Sequence, residues 1–306
     1  MYKKLDGNKV RCMACAHYCV IQNGKAGICG VRKNIDGALQ LLVYGKPAAI
    51  HVDPIEKKPL YHFMPGTKIL SLGTFGCNFR CGFCQNWGIS QTKYKVEKPA
   101  LSASRMGIKS KDEGFEDADD WLPERVVGYA AEHNIPSIAY TYNEPTIFVE
   151  YARDIMVLAR EKGLKNVFVS NGYESKETLD YIGPYLDAIN IDLKSFSNEF
   201  YQKNCGAKLQ PVLDTIKRIH EMKIHQEITT LIIPGENDSE EELRQIAEFI
   251  ASVDKNIPWH LSRFHPDYKM PDKNITSYKS LVKAREIGLA AGLKYVYLGN
   301  VDEGKE

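Results

Sequence analysis

Three cysteines stand as C-x3-C-x2-C in the run Gly76-Cys77-Asn78-Phe79-Arg80-Cys81-Gly82-Phe83-Cys84. Three thiolates hold three corners of a cubane [4Fe-4S] cluster and leave its fourth iron open to a ligand that is not protein, and an open iron is reactive. The next cysteine downstream, Cys205, is too distant in sequence to read as a local fourth ligand. The plainer alternative for the same residues is a set of structural or zinc thiolates. A second set, Cys12-x2-Cys15-x3-Cys19 followed by Cys29, supplies four thiolates with His17 between them. Four close a tetrahedral zinc site or complete a second cluster. Short glycine-rich C-x2-C knuckles favour zinc, and His17 reads as a neighbour rather than a ligand. The chain has no H-x-x-x-H pair and no Gly-x4-Gly-Lys-Ser/Thr phosphate loop, which counts against a zinc hydrolase or an ATPase.

The elements that must position these residues follow from periodicity. From Lys68 onward, short apolar, β-branched runs at 68–73, 137–142, 166–170, 188–192, 224–233 and 259–264 alternate with amphipathic stretches at 121–133, 146–162, 176–185, 209–222, 239–252 and 277–291. A further short run lies at 295–298. Six strand-helix units imply an α/β fold with a mostly parallel sheet that curls into a partial barrel. Ser239-Glu240-Glu241-Glu242 reads as an N-cap with an acidic first turn. The polar segment 85–120 reads as a loop or lid after the cysteines. Residues 1–60 read as a separate cysteine-rich unit and connector, leaving 61–306 as the barrel.

In barrels built this way the chemistry sits where strands end. The first predicted strand runs into the three cysteines, and the second into Tyr142-Asn143-Glu144-Pro145. The third ends in Ser170-Asn171-Gly172, the fourth in Asp192-Leu193-Lys194, the fifth in Pro234-Gly235-Glu236, and the sixth in Arg263-Phe264-His265. Singly these are turns or an exposed ion pair. Together they offer acceptors for an ammonium, a cation for a carboxylate and partners for a nucleoside.

The C-x3-C-x2-C spacing after a strand resembles the signature of the radical S-adenosylmethionine (SAM) superfamily, and SAM carries the ammonium, carboxylate and nucleoside that those strand ends would meet. The strings Asp53-Pro54-Ile55-Glu56-Lys57-Lys58-Pro59-Leu60-Tyr61-His62-Phe63, Cys84-Gln85-Asn86-Trp87-Gly88-Ile89-Ser90-Gln91 and Thr141-Tyr142-Asn143-Glu144-Pro145-Thr146 resemble the radical SAM enzymes of the AmmeMemoRadiSam system, relatives of pyruvate formate-lyase activating enzyme. The resemblance implies a partial (β/α)6 radical SAM barrel in which Cys77, Cys81 and Cys84 bind the catalytic cluster. It implies that Asn143 and Glu144 receive the SAM amino group, that Asp192 and Lys194 lie near its carboxylate, and that Ser170, Asn171 and His265 complete the site. Val169 replaces an aspartate of the activating enzymes, which puts a monovalent cation there in doubt, and Asn143 replaces a glycine. The implied activity is reductive cleavage of SAM to a 5′-deoxyadenosyl radical that takes hydrogen from a substrate. That substrate is a glycyl-radical-type protein partner, another protein or a small molecule, and the electrons come from a reductase, ferredoxin or flavodoxin. A non-catalytic zinc or iron-sulfur scaffold is the alternative from another class.

Bulk properties set the surroundings. The 306 residues carry 40 Lys plus Arg against 39 Asp plus Glu, so no charge excess invites nucleic acid or an anionic membrane. No apolar run has the length of a signal peptide or a spanning helix. Seven of the eight cysteines fall in two ligand-like clusters, which suits a reducing cytoplasm.

Overall fold

The computed structural model describes residues 1–92 and 120–301. The N-terminal part is built of hairpins. Strands β1 (Tyr2–Lys4), β2 (Val10–Cys12) and β3 (Val20–Ile21) form an antiparallel sheet, and β4 (Arg32–Ile35) pairs with β5 (Ala38–Leu41). The second hairpin turns through Asp36 and Gly37, both with positive φ (51° and 80°), the two-residue geometry that matches the twist of paired strands.

Next comes β6 (Ala49–Pro54), which lies antiparallel on β7 (Lys68–Gly73) at the edge of the main sheet. Within the segment 1–60 the first 41 residues hold the hairpins, and strand β6 belongs to the barrel sheet. Pro54 is tolerated because it ends an edge strand.

From β7 the chain alternates as expected. The short helix α1 (Trp87–Ser90) follows the cysteine loop. Then come α2 (Pro123–Glu132), β8 (Ser137–Tyr140), α3 (Val149–Glu161), β9 (Lys165–Ser170), α4 (Lys176–Ile182) and β10 (Ala188–Asp192). The chain continues with the single turn α5 (Asn198–Phe200), α6 (Leu209–Glu221), β11 (His225–Ile232), α7 (Glu240–Val253), β12 (Trp259–Arg263), α8 (Tyr278–Ala290) and β13 (Val296–Gly299). Strands β7 to β13 run parallel in chain order, giving an open eight-stranded sheet with β6 and β13 at its edges, a partial (β/α)6 barrel with one extra strand at each side. The helices bury one stripe each, such as Val212, Leu213, Ile216 and Ile219 of α6. Ser175, Ser239 and Ser277 each cap a helix by accepting a backbone N–H, and α7 opens with the three glutamates read from sequence.

The bottom of the barrel is plugged. Residues after β6 cross beneath the strands, burying Ile55 and Leu60 against Ile69, Ala139, Val167 and Ala188, about 1.5–3 kcal/mol for each side chain. Glu227 of β11, fully buried, accepts from the Tyr61 and His62 N–H groups at 3.0 and 2.8 Å and contacts His225 and His260 at 3.0 and 2.7 Å. The string 53–63 thus closes the end opposite the cysteines. Of the expected lid at 85–120, residues 93–119 lie outside the described residues. Among the described residues no helix is long and apolar enough to cross a membrane.

Candidate active site

The cysteine loop leaves β7 at the open end of the barrel. Cys77 and Cys81 are buried, Cys84 is half-buried, and all eight cysteines of the chain are free thiols. The loop is braced from several sides. Asn143 donates through Nδ2 to Gly76 O (2.8 Å) and Thr74 Oγ1 (3.2 Å), while its Oδ1 accepts from Thr74 N. Arg80 N and Gly82 N donate to the carbonyls of Cys205 and Asn204 at 2.8 and 3.0 Å, and Ser90 Oγ lies 3.1 Å from Cys84 Sγ.

Asp192 and Lys194 pair at 2.8 Å, and the ammonium faces the Phe83 ring at 5.8 Å. Burial works to lower the Lys194 pKa, but the charges of Asp192, Cys81 and Cys205 outweigh it and hold it well above the usual lysine range. The sulfurs respond in turn. Cys81 is lowered, first by a hydrogen bond from the Cys205 thiol and, against its burial, by the Lys194 charge. Cys77 is pushed well up by burial and the Glu144 carboxylate, and burial raises Cys84.

Glu144 is wholly enclosed. Its Oε1 accepts from Thr146 N (3.0 Å), Thr146 Oγ1 (2.6 Å) and Ser170 Oγ (3.0 Å), and its Oε2 from Asn171 N (2.8 Å). Ser170 Oγ also lies 2.5 Å from Glu174 Oε1 and accepts from Gly172 N at 3.0 Å. One hydroxyl proton serves one carboxylate, so the second carboxyl must carry its own proton. That group is Glu174, pushed up to about 8 by burial and by the Glu144 charge. Asn171 Nδ2 donates to Asn78 Oδ1 at 2.8 Å, tying the third strand end to the cysteine loop.

The structure therefore gathers the expected residues at one end of the sheet but changes how several of them act. Glu144 accepts four protein donors, three of them on Oε1, and the Asn143 amide braces the loop. Both side chains also hold the backbone that surrounds the site, each keeping an oxygen with one protein donor, Glu144 Oε2 from Asn171 N and Asn143 Oδ1 from Thr74 N. His265 is exposed and reaches the loop through Gln85, with Nδ1 3.4 Å from Gln85 Nε2. Cys205, set aside in sequence as an isolated thiol, sits beside Cys81. Trp87 is 46% exposed and stacks on Tyr268 with centroids 5.4 Å apart, so it is not core. The bracing by Thr74, Asn78 and Arg80 carries no sequence signal, because it depends on long-range packing.

The four N-terminal cysteines converge on one small cavity, shared with Asn78 and Ile147 of the barrel. Neither cysteine set is drawn around a single ion: among the described residues no three His, Cys, Asp or Glu side chains form such a group. The N-terminal unit is docked on the barrel by Ala16 N to Tyr173 O (2.9 Å), Thr178 Oγ1 to Ala14 O (2.6 Å) and the buried Arg32, which donates to Ile147 O (2.8 Å) and pairs with Glu150.

The residues present fit a three-cysteine cluster with SAM: three thiols on one loop, a lysine beside one of them, and a backbone braced from β8, β9 and β10. Comparison with known proteins agrees. The model of the Radical SAM superfamily matches residues 71–250. An uncharacterized protein of Methanocaldococcus jannaschii is 44% identical over 98% of this chain and 84% of its own length. A second protein of that organism, provisionally named a glycyl-radical enzyme activating enzyme, is 26% identical over 76% of this chain and 79% of its own. Among solved structures, a radical SAM methyltransferase from Sphaerobacter thermophilus shares the fold with a TM-score of 0.56 at 14% identity, covering 77% of this chain and 67% of that one. The chain belongs to the radical SAM superfamily, and it is an enzyme that uses a [4Fe-4S] cluster and SAM for radical chemistry.

Proposed function

We propose that this enzyme holds its cluster on Cys77, Cys81 and Cys84 and acts as an activating enzyme, taking a hydrogen atom from a glycine of a protein partner. The observation that carries this is the trio of free thiols at the end of β7 with the Lys194 ammonium beside Cys81. Bound on these three cysteines, the cluster would supply the electron for reductive cleavage of SAM. The chain's own residues orient and shield. Lys194 offers a cation to the SAM carboxylate and to the thiolates, and Asp192 fixes the position of that cation. Asn143 and Glu144 hold the β7 and β8 loops in place and supply acceptor oxygens for the SAM ammonium. Ser170 and Asn171 anchor the third side of the site, and His265 lies on the side where the nucleoside is expected.

The name of the second Methanocaldococcus relative supports a protein substrate. The strings at 53–63, 84–91 and 141–146 support placement within the AmmeMemoRadiSam group. The electron donor is a reductase, ferredoxin or flavodoxin, and a set of uniformly free cysteines suits the cytoplasm.

The test is anaerobic reconstitution with iron and sulfide, followed by dithionite and SAM. Formation of 5′-deoxyadenosine, absent in Cys81→Ala, supports the reading. Label transfer from an α-deuterated glycine of a candidate partner into that product identifies the substrate class. Reconstituted protein that holds iron on the trio yet never cleaves SAM would refute the proposal.

A further inference from the structure

We propose that Cys205 tunes the barrel cluster without binding it, its thiol donating a hydrogen bond to the Cys81 sulfur that eases uptake of the electron. The three sulfurs of the loop each have a protein partner. Phe79 N lies 3.4 Å from Cys77 Sγ, Ser90 Oγ lies 3.1 Å from Cys84 Sγ, and the Cys205 side chain is bonded to the Cys81 sulfur. The first two partners, an amide and a hydroxyl, come from the cysteine loop and α1 themselves. The third is a thiol brought in from more than a hundred residues away.

The backbone carries Cys205 to that position. It closes a single wide turn of π type, Tyr201–Cys205, which ends at Gly206 with φ 67°, and turns of this type gather at functional sites. The N–H groups on either side of Cys81, those of Arg80 and Gly82, donate to the carbonyls of Cys205 and Asn204 at 2.8 and 3.0 Å. Those two amides are therefore spent on the turn, and the turn returns a thiol to the sulfur between them. The Tyr201 hydroxyl, at the head of the same turn, accepts from Lys194 N at 3.0 Å. One turn thus fixes both the Cys81 backbone and the lysine beside it. Tyr201 and Cys205 are wholly enclosed, so water does not compete for either contact.

Elementary chemistry assigns the direction and the role. A cysteine binds iron as a thiolate, which accepts hydrogen bonds and has none to give, so the proton of the pair sits on Cys205. Thiolates on different corners of a cubane are held apart by the cluster between them, whereas Cys205 touches Cys81. It is not placed to fill the fourth corner, which stays open. An added electron puts more negative charge on the sulfurs, and a donor stabilises that state more than the oxidised one, which raises the potential. The Lys194 charge acts in the same sense, but it is shared with Asp192 and, when SAM is bound, with its carboxylate. The Cys205 proton stays with the sulfur in either case.

This inference rests on the radical SAM reading, and the experiment separates the two. Wild type, Cys205→Ala and Cys205→Ser are reconstituted anaerobically with ferrous iron and sulfide and assayed for iron. Each is then titrated against a series of redox buffers while the paramagnetic signal that SAM perturbs is followed. Cys205→Ala should retain the iron of wild type. At a fixed potential its ratio of reduced to oxidised cluster should fall about three- to tenfold, a tenfold fall being about 59 mV for one electron. Cys205→Ser, which keeps a donor, should recover most of that ratio. Electron-nuclear double resonance in heavy water should show one exchangeable proton coupling of the reduced wild type missing from Cys205→Ala. Equal ratios in wild type and Cys205→Ala overturn the proposal, as does a loss of iron in Cys205→Ala as deep as in Cys81→Ala, which would make Cys205 a ligand. Should Cys205→Ala not fold, the infrared difference between reconstituted wild type and Cys205→Ser decides: an S–H stretch belonging to Cys205 supports the proposal and its absence overturns it. Wild type that carries iron but never yields 5′-deoxyadenosine overturns the radical SAM reading instead.

Discussion

The hydrogen-bond chain Glu144, Ser170, Glu174 requires one proton more than the serine supplies, and that proton has a measurable energy. Burial beside the Glu144 charge pushes Glu174 up to about 8 from the 4.5 of an ordinary glutamate. Below pH 4.5 the folded and unfolded chains both hold the proton and the stabilisation is complete. Between 4.5 and about 8 the unfolded chain has lost it while the folded chain keeps it, so stability falls by about 1.4 kcal/mol per pH unit. Above pH 8 the loss is complete. From pH 6 to 8 the fall integrates to about 2 kcal/mol, with no discount for solvent because Glu174 is only 4% exposed. Glu174→Gln retains an N–H donor for Ser170 and has nothing to titrate. Anaerobic urea unfolding of the two reconstituted proteins from pH 6 to 8 should show wild type losing about that amount relative to the variant. Infrared spectra should show the carbonyl stretch of a protonated carboxylic acid in wild type near neutral pH and its absence in Glu174→Gln. Parallel unfolding curves and no such band would refute the proton assignment. Glu144→Gln should move the wild-type slope to lower pH, since it removes the neighbouring charge.

Further expectations follow from single contacts. Lys194→Gln removes a charged partner worth about 1.5–3 kcal/mol, so SAM should bind about 10- to 100-fold more weakly by anaerobic calorimetry while the iron content holds. Loss of iron with unchanged SAM affinity would mean that the lysine serves the thiolates alone. Gly76→Ala places a methyl 2.4 Å from Cys29 O at a φ of +88°; the left-handed backbone alone costs about 1–2 kcal/mol. Iron retention and thermal midpoint should both drop, and equality with wild type on both would contradict the close approach. Glu227 is held down to about 2, the hydrogen bonds from His225 and His260 outweighing its burial. Its stabilisation is present above pH 4.5 and vanishes as pH falls toward 2, so the margin of wild type over Glu227→Gln should shrink by up to about 3 kcal/mol across that window in acid unfolding.

The parallel strands and their helices were legible because their signals are local. Apolar runs, serine caps and acidic first turns repeat within a few residues, and strand ends are where a barrel puts its chemistry. The three-cysteine loop was legible for the same reason. What escaped are contacts between residues far apart in sequence. Asn143 reads in sequence as an acceptor for an ammonium; only the fold shows that its amide also reaches Gly76 and Thr74. Cys205 looked isolated until the turn after α5 carried it to Cys81.

Tyr142 shows how the local and distant parts depend on each other. It stands at φ 68°, a conformation suited to glycine and costly for an aromatic residue. Its hydroxyl donates to Asp53 at 2.9 Å, and the Lys58 ammonium, paired with Asp53 at 2.7 Å, lies 4.7 Å from its ring centre. Asp53 and Lys58 belong to the segment that enters the plug at the far end of the barrel. The string 53–63 therefore does two things that its sequence cannot announce. It seals the bottom of the sheet, and through Tyr142 it holds in place the strained turn from which Asn143 and Glu144 brace the active-site loops. A substitution such as Asp53→Asn acts on the cysteine loop from the opposite end of the strands, because it weakens the hydrogen bond that keeps Tyr142 in its strained conformation.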